Sequence, residues 1–228
     1  MNFGFPPAYL LMFAVMIVGL FVQMNLQSKF KKYSKIRLDS GLTGREVAER
    51  MLRENGITDV RVTSTSGRLT DHYNPADKTI NLSESVYDSN SVMAAAVAAH
   101  ETGHALQHAL GYAPLKMRSA LVPVVQFSSN IVNIVLVVGI ILVESFPQVL
   151  LAGIILFAVT TLFSIMTLPV EWNASQRALA WLEQSRITSY EQQPMASSAL
   201  RAAAYTYFAA AIGSIATLFY YITIYSRR

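Results

Sequence analysis

No cysteine occurs in the 228 residues. That absence excludes a disulfide framework, a thiolate metal site and a thiol nucleophile together. Charge is scarce as well: 14% of residues are Asp, Glu, Lys or Arg, against about 25% in an average soluble domain. No internal repeat, low-complexity tract or nucleic-acid motif is present, and the net charge of +4 is modest. What fills the chain is apolar: 53% of it is hydrophobic. Scarce charge with long apolar runs describes a membrane protein. Basic residues beside apolar runs suit anionic lipid headgroups better than nucleic acid.

Four runs are long enough to cross a bilayer. The first, residues 8–26, has no basic residue before it and no small-residue cleavage site after it, and so reads as a retained anchor, not a signal peptide. Lys29, Lys31, Lys32, Lys35 and Arg37 follow it directly. By the positive-inside rule they mark the cytoplasmic side, so the N-terminus lies outside. The second and third runs, 119–143 and 148–168, are joined by a very short link without Lys or Arg, and form a hairpin turning on the outside. The fourth is 203–225, with Pro194 suited to the first turn of the helix leading into it. Arg227 and Arg228 at its outer end oppose this orientation, but five basic residues outweigh two.

Residues 27–116 form a soluble insert, and 169–202 a second soluble segment. Thr43 and Glu46 are spaced as a capping box opening a helix with Val47, Met51, Leu52 and Ile57 on its apolar face, ended by Gly56. The segment from Val60 to Gly67 alternates like a half-buried strand. Two further strands flank the turn cluster Asn74–Asp77, a hairpin pattern. A small three-stranded sheet results. Asp88–Ser91 then offer an N-cap for the next helix, and Gly111 a C-cap.

That next helix reads AVAAHETGHALQHALGY. It contains His100-Glu101-Thr102-Gly103-His104, an HExxH motif. Histidines four apart share one helix face, so both can reach a single Zn²⁺. Glu101 beside them can take a proton from a zinc-activated water. A catalytic zinc site has three protein ligands, and without cysteine the third must be His or a carboxylate. His108 continues the i, i+4 series but lies about 12 Å beyond His100 on the same rigid helix, too far to share the metal. His72 sits in the hairpin and reads as a strand-surface or substrate-side residue. Glu171, in LPVEWNASQRALAW at the end of the third span, is the better candidate. A carboxylate there is costly unless it pairs or binds metal. The alternative is a solvated carboxylate at a helix boundary. Ser175 shares its face, and Arg177 could offset the site's negative charge.

HETGHALQH, preceded by DHYNPADKTINLSESVY and followed by LPVEWNASQRAL, closely resembles the YugP-like family of membrane neutral zinc metallopeptidases, distant relatives of the HtpX and CAAX-prenyl-protease type. The similarity runs along nearly the whole chain. It implies a zinc endopeptidase with His100 and His104 as ligands and Glu101 as general base. It also implies Glu171 as the third ligand, in the manner of gluzincins. The family pattern has Asp at Asn173, and the HtpX pattern has Asp at Ser175. Either residue could accept a ring N–H from a zinc histidine, more weakly than a carboxylate.

The expected fold is therefore a mainly α membrane protein. It has about four transmembrane helices and a small α+β, zincin-like cytosolic insert carrying the HExxH helix. The expected activity is peptide-bond hydrolysis with one zinc per chain, on a peptide or protein substrate, at a bacterial plasma membrane. Tyr205, Tyr207, His72 and Arg177 are candidates for the oxyanion donor, Tyr207 matching a family tyrosine; an interfacial aromatic anchor is an equal reading. Asn81–Ser83 could pair with an extended substrate as an added strand, or be a plain edge strand. Two other functions compete. An intramembrane protease needs HExxH within a span and an aspartate ligand in another, but no span carries Asp. A non-enzymatic adaptor needs a degenerate site, yet His100, Glu101, His104 and Glu171 are all intact.

Overall fold

A computed structural model describes residues 7–227, with side chains from residue 10 onward; Arg228 lies outside them. Its elements in order are α1 (Pro7–Tyr33), α2 (Gly44–Glu54), β1 (Arg61–Thr65), β2 (His72–Asn74), β3 (Thr79–Ser83), α3 (Glu84–Tyr87), α4 (Val92–Ala109), α5 (Ala113–Ile141), α6 (Pro147–Gln184) and α7 (Gln193–Ser226). Among the described residues, α1, α5, α6 and α7 are long and apolar enough to cross a membrane, whereas α4 is not one of these.

The chain divides into two compact units. One comprises residues up to Gln23, Met117–Leu168 and Thr206 onward. In it α5 and α6 approach closely where glycine leaves room. A Cβ on Gly139 would lie 2.6 Å from the Leu150 Cα, and one on Gly153 would lie 2.8 Å from the Leu136 side chain. Small residues at such crossings let apolar helices pack backbone to backbone. Their outer faces keep large apolar residues such as Phe127, Ile134 and Ile155 exposed, as a lipid-facing surface requires.

The other unit comprises Met24–Lys116 and Pro169–Tyr205. Thr43 caps α2 with the reciprocal box: its hydroxyl accepts from the Glu46 N–H at 3.3 Å, and Glu46 Oε2 accepts from the Thr43 N–H at 2.8 Å. The helix buries Val47, Met51 and Leu52 against β3 residues Ile80 and Leu82, the alanines of α4, and Leu182 and Leu200. Each large side chain so buried stabilises the fold by about 1.5–3 kcal/mol relative to exposure. Ser91 caps α4, its Oγ accepting from the Ala94 N–H at 3.2 Å. Gly111 follows the last turn at φ +65°, a conformation that suits glycine. The centre of α4 is buried on every side, and its alanines keep it narrow.

Two expectations are corrected. First, no helix boundary falls at the end of the third apolar run: α6 continues through Pro169 to Gln184. Proline removes one N–H from the ladder, a loss long membrane helices accommodate, so Glu171 is a helix-interior residue and not a boundary one. Second, the sheet order is β1-β3-β2, with β1 parallel and β2 antiparallel to β3. Asn81–Ser83 therefore lies in the central strand. Its edges are taken by β1 and β2, so it neither accepts an added substrate strand nor forms an edge.

Candidate metal centre

Helix α4 places the two histidines one turn apart, with ring centroids 4.8 Å apart and planes at 83°. Helix α6 brings Glu171 to them from 71 residues away in sequence. Its Oε2 lies 3.2 Å from His100 Nε2 and 3.5 Å from His104 Nε2. All three are buried, and their potential ligand atoms lie within 4.8 Å of one another.

The close approach of α4 and α6 depends on Gly103, the second variable residue of the motif. A Cβ there would sit 2.7 Å from the Ala174 carbonyl oxygen and 3.2 Å from the Ala174 Cα. Both are backbone atoms that no rotamer change can move. Glycine thus lets the histidines meet Glu171, a role invisible in HExxH as a pattern.

Whether these residues fit zinc can be tested on the distances. Zinc bonds of about 2.0–2.1 Å at a tetrahedral angle put neighbouring ligand atoms roughly 3.3 Å apart. The two histidine–glutamate distances, 3.2 and 3.5 Å, match, and the three ligand atoms together lie within 4.8 Å of one another. The donor set of two imidazoles and one carboxylate also suits zinc. The ring nitrogens facing away are held: His100 Nδ1 lies 3.1 Å from Ser175 Oγ, and His104 Nδ1 lies 3.0 Å from Gln107 Oε1. Both Nε2 atoms are left facing Glu171.

Burial pushes the Glu101 carboxyl above the ordinary carboxylate range, while His100 and His104 pull it back. Burial also opposes charge on His104, but its bond to Glu171 and the surrounding carboxylates outweigh that and raise the ring. A carboxyl with raised proton affinity between two histidines suits a proton-transfer role.

The other predicted site residues separate clearly. Ser175 touches His100 directly. Asn173 touches neither histidine; its Oδ1 accepts from Gln107 Nε2 at 3.0 Å and from Arg177 Nε at 2.8 Å. Arg177 is thus held by Asn173. His72 is exposed on β2, its Nδ1 2.8 Å from the Thr70 carbonyl. His108 pairs with the Tyr73 hydroxyl at 2.7 Å and stands outside the histidine–glutamate group. Tyr205 is exposed on α7, and Tyr207, two residues on, belongs to the first unit. Gln107 was missed by sequence reasoning, although its position three residues after His104 puts it on the same face.

A buried His-His-Glu centre on a membrane chain defines a class, and comparison with known proteins agrees. A family model described as "Putative neutral zinc metallopeptidase" matches residues 8–226, and the chain belongs to that family. It is 39% identical over 212 residues to the protein named "Putative membrane protease YugP" of Bacillus subtilis (strain 168), the match covering 93% of each chain. No solved structure matches the chain.

Proposed function

We propose that the chain is a membrane-bound zinc endopeptidase that hydrolyses peptide bonds with water. The observation that carries this reading is the convergence of His100, His104 and Glu171 in a buried cluster of zinc-compatible spacing. In this reading those three residues hold one zinc, which when bound supplies Lewis-acid activation of water and the scissile carbonyl. Glu101 takes the proton of the attacking water and delivers it to the leaving amine. Ser175 and Gln107 orient the two rings. The unit carrying α4 works as a zincin-like insert on a multi-pass protein of a bacterial plasma membrane, facing the cytoplasm on the side of Lys29–Arg37. The exclusion of α4 from the helices able to span a membrane supports cleavage beside the bilayer over cleavage within it.

The test is cleavage of casein or a quenched peptide by the purified protein, with metal content measured on the same sample. About one zinc per chain with chelator-sensitive cleavage is expected. A folded, zinc-loaded protein that cleaves no peptide in any lipid would contradict the peptidase reading, and a folded protein that holds no zinc would contradict the metal centre.

A further inference from the structure

We infer that Gln107 is a positioning residue that fixes the tautomer of His104, and that Asn173 and Arg177 hold Gln107 to that task. The inference rests on His104 being a metal ligand, as proposed above.

The Gln107 side chain is fully buried. Its Nε2 donates to the Val170 carbonyl at 2.8 Å and to Asn173 Oδ1 at 3.0 Å. Both amide hydrogens are thereby used. A flipped amide would set its oxygen against two acceptors, so Oε1 must be the atom facing His104 Nδ1 at 3.0 Å. An amide oxygen can only accept. The contact is a hydrogen bond only if His104 carries a proton on Nδ1: the charged ring donates from both nitrogens, and the neutral ring that keeps this bond holds its lone pair on Nε2, on the Glu171 side.

The polarity has two anchors. The Val170 carbonyl is an acceptor by nature. Asn173 could flip, but Arg177 Nε donates to its Oδ1 at 2.8 Å, and a guanidinium offers no acceptor. Arg177 thus fixes Asn173, Asn173 and Val170 fix Gln107, and Gln107 fixes His104. The chain of bonds ties the second histidine of α4 to α6, the helix that carries Glu171. His100 has no equivalent restraint, because the Ser175 hydroxyl both donates and accepts. The two ligands should therefore respond differently when their partners are removed.

The experiment uses the full-length protein in detergent or nanodiscs. Long-range ¹H–¹⁵N spectra of the histidine rings, taken on zinc-free protein as pH is raised until the His104 ring is neutral by its own ¹⁵N shifts, report its tautomer directly. Wild type should show His104 protonated on Nδ1. Gln107→Met keeps the side-chain length without polar atoms; it should give a mixture or the Nε2–H form at His104 and weaken zinc binding by about 10–100-fold in chelator competition. Asn173→Asp still accepts from both neighbours and should keep the wild-type tautomer and zinc affinity. Arg177→Met frees Asn173 while the Val170 anchor remains, and should fall between.

A wild-type spectrum with His104 protonated on Nε2 would overturn the inference, even if a Gln107 variant fails to fold. So would a folded Gln107→Met variant with wild-type tautomer and zinc affinity. Failure of the parent reading looks different: there His104→Ala itself would keep its zinc.

Discussion

Adding one methyl group at Gly103 should separate metal binding from folding. The Cβ of Gly103→Ala would lie 2.7 Å from the Ala174 carbonyl oxygen, where ordinary carbon–oxygen contacts lie at about 3.3–3.6 Å. Relief requires α4 and α6 to part by roughly 0.6–0.9 Å. Metal–ligand distances tolerate only about 0.2 Å, so His100 and His104 would no longer close on Glu171 from their present 3.2 and 3.5 Å. Overpacking of this kind costs about 1–3 kcal/mol. Alanine in place of a mid-helix glycine returns about 0.8–1 kcal/mol of helix propensity. The zinc-free protein should therefore lose between about nothing and 2 kcal/mol of stability. Zinc binding gets no helix-propensity refund and should weaken roughly 5- to 150-fold. Chelator competition measures the affinity, and thermal unfolding of zinc-free samples measures the fold. Gly111→Ala is the control: at φ +65° it should cost about 1 kcal/mol of stability and leave zinc binding unchanged. Wild-type zinc affinity in Gly103→Ala would refute the argument that α4–α6 contact sets the centre.

Glu101→Gln should abolish peptide cleavage while about one zinc per chain remains; wild-type turnover in that variant would remove Glu101 from the role of base. His108→Ala should keep its zinc, because His108 is spent on Tyr73; metal loss on dialysis would contradict this. Cysteine placed at Ser40 should resist an impermeant thiol reagent in intact cells and cysteine at Ser145 should react, a test made clean by the absence of native cysteine; the reverse pattern would invert the orientation. Glu54 accepts from Arg50, Ser185 and Trp181, holding its carboxyl below the ordinary range. Its contribution is full above the unfolded value and drains as pH falls through the lowered folded one. Thermal unfolding should accordingly show a shallower acid-side loss in Glu54→Gln than in wild type, and parallel curves would contradict it.

Local chemistry was legible in the sequence where it depends on near neighbours. The HExxH spacing, the Thr43–Glu46 box, the Ser91 cap and the Asn74 turn each lie within one or two turns of chain. Glu171 was legible because a carboxylate after an apolar run is costly without a partner, and Ser175 because it shares a helix face with Glu171. What escaped depends on partners brought together by folding. Gln107 acquires its role from Val170 and Asn173, 63 and 66 positions away, and Gly103 from the Ala174 backbone. The third apolar run ends at Leu168, but its helix continues, because a long helix absorbs the one bond missing at Pro169. The central place of β3 follows from its parallel pairing with β1, which nothing in either strand announces.

Zinc retention in Glu171→Ala tests the central claim most directly. Two histidines alone hold catalytic zinc weakly, and no cysteine or well-placed third histidine can substitute. Dialysed against a mild chelator, wild type should keep about one zinc per chain and the folded Glu171→Ala variant should lose it. A Glu171→Ala protein that holds zinc as tightly as wild type would contradict the three-ligand centre.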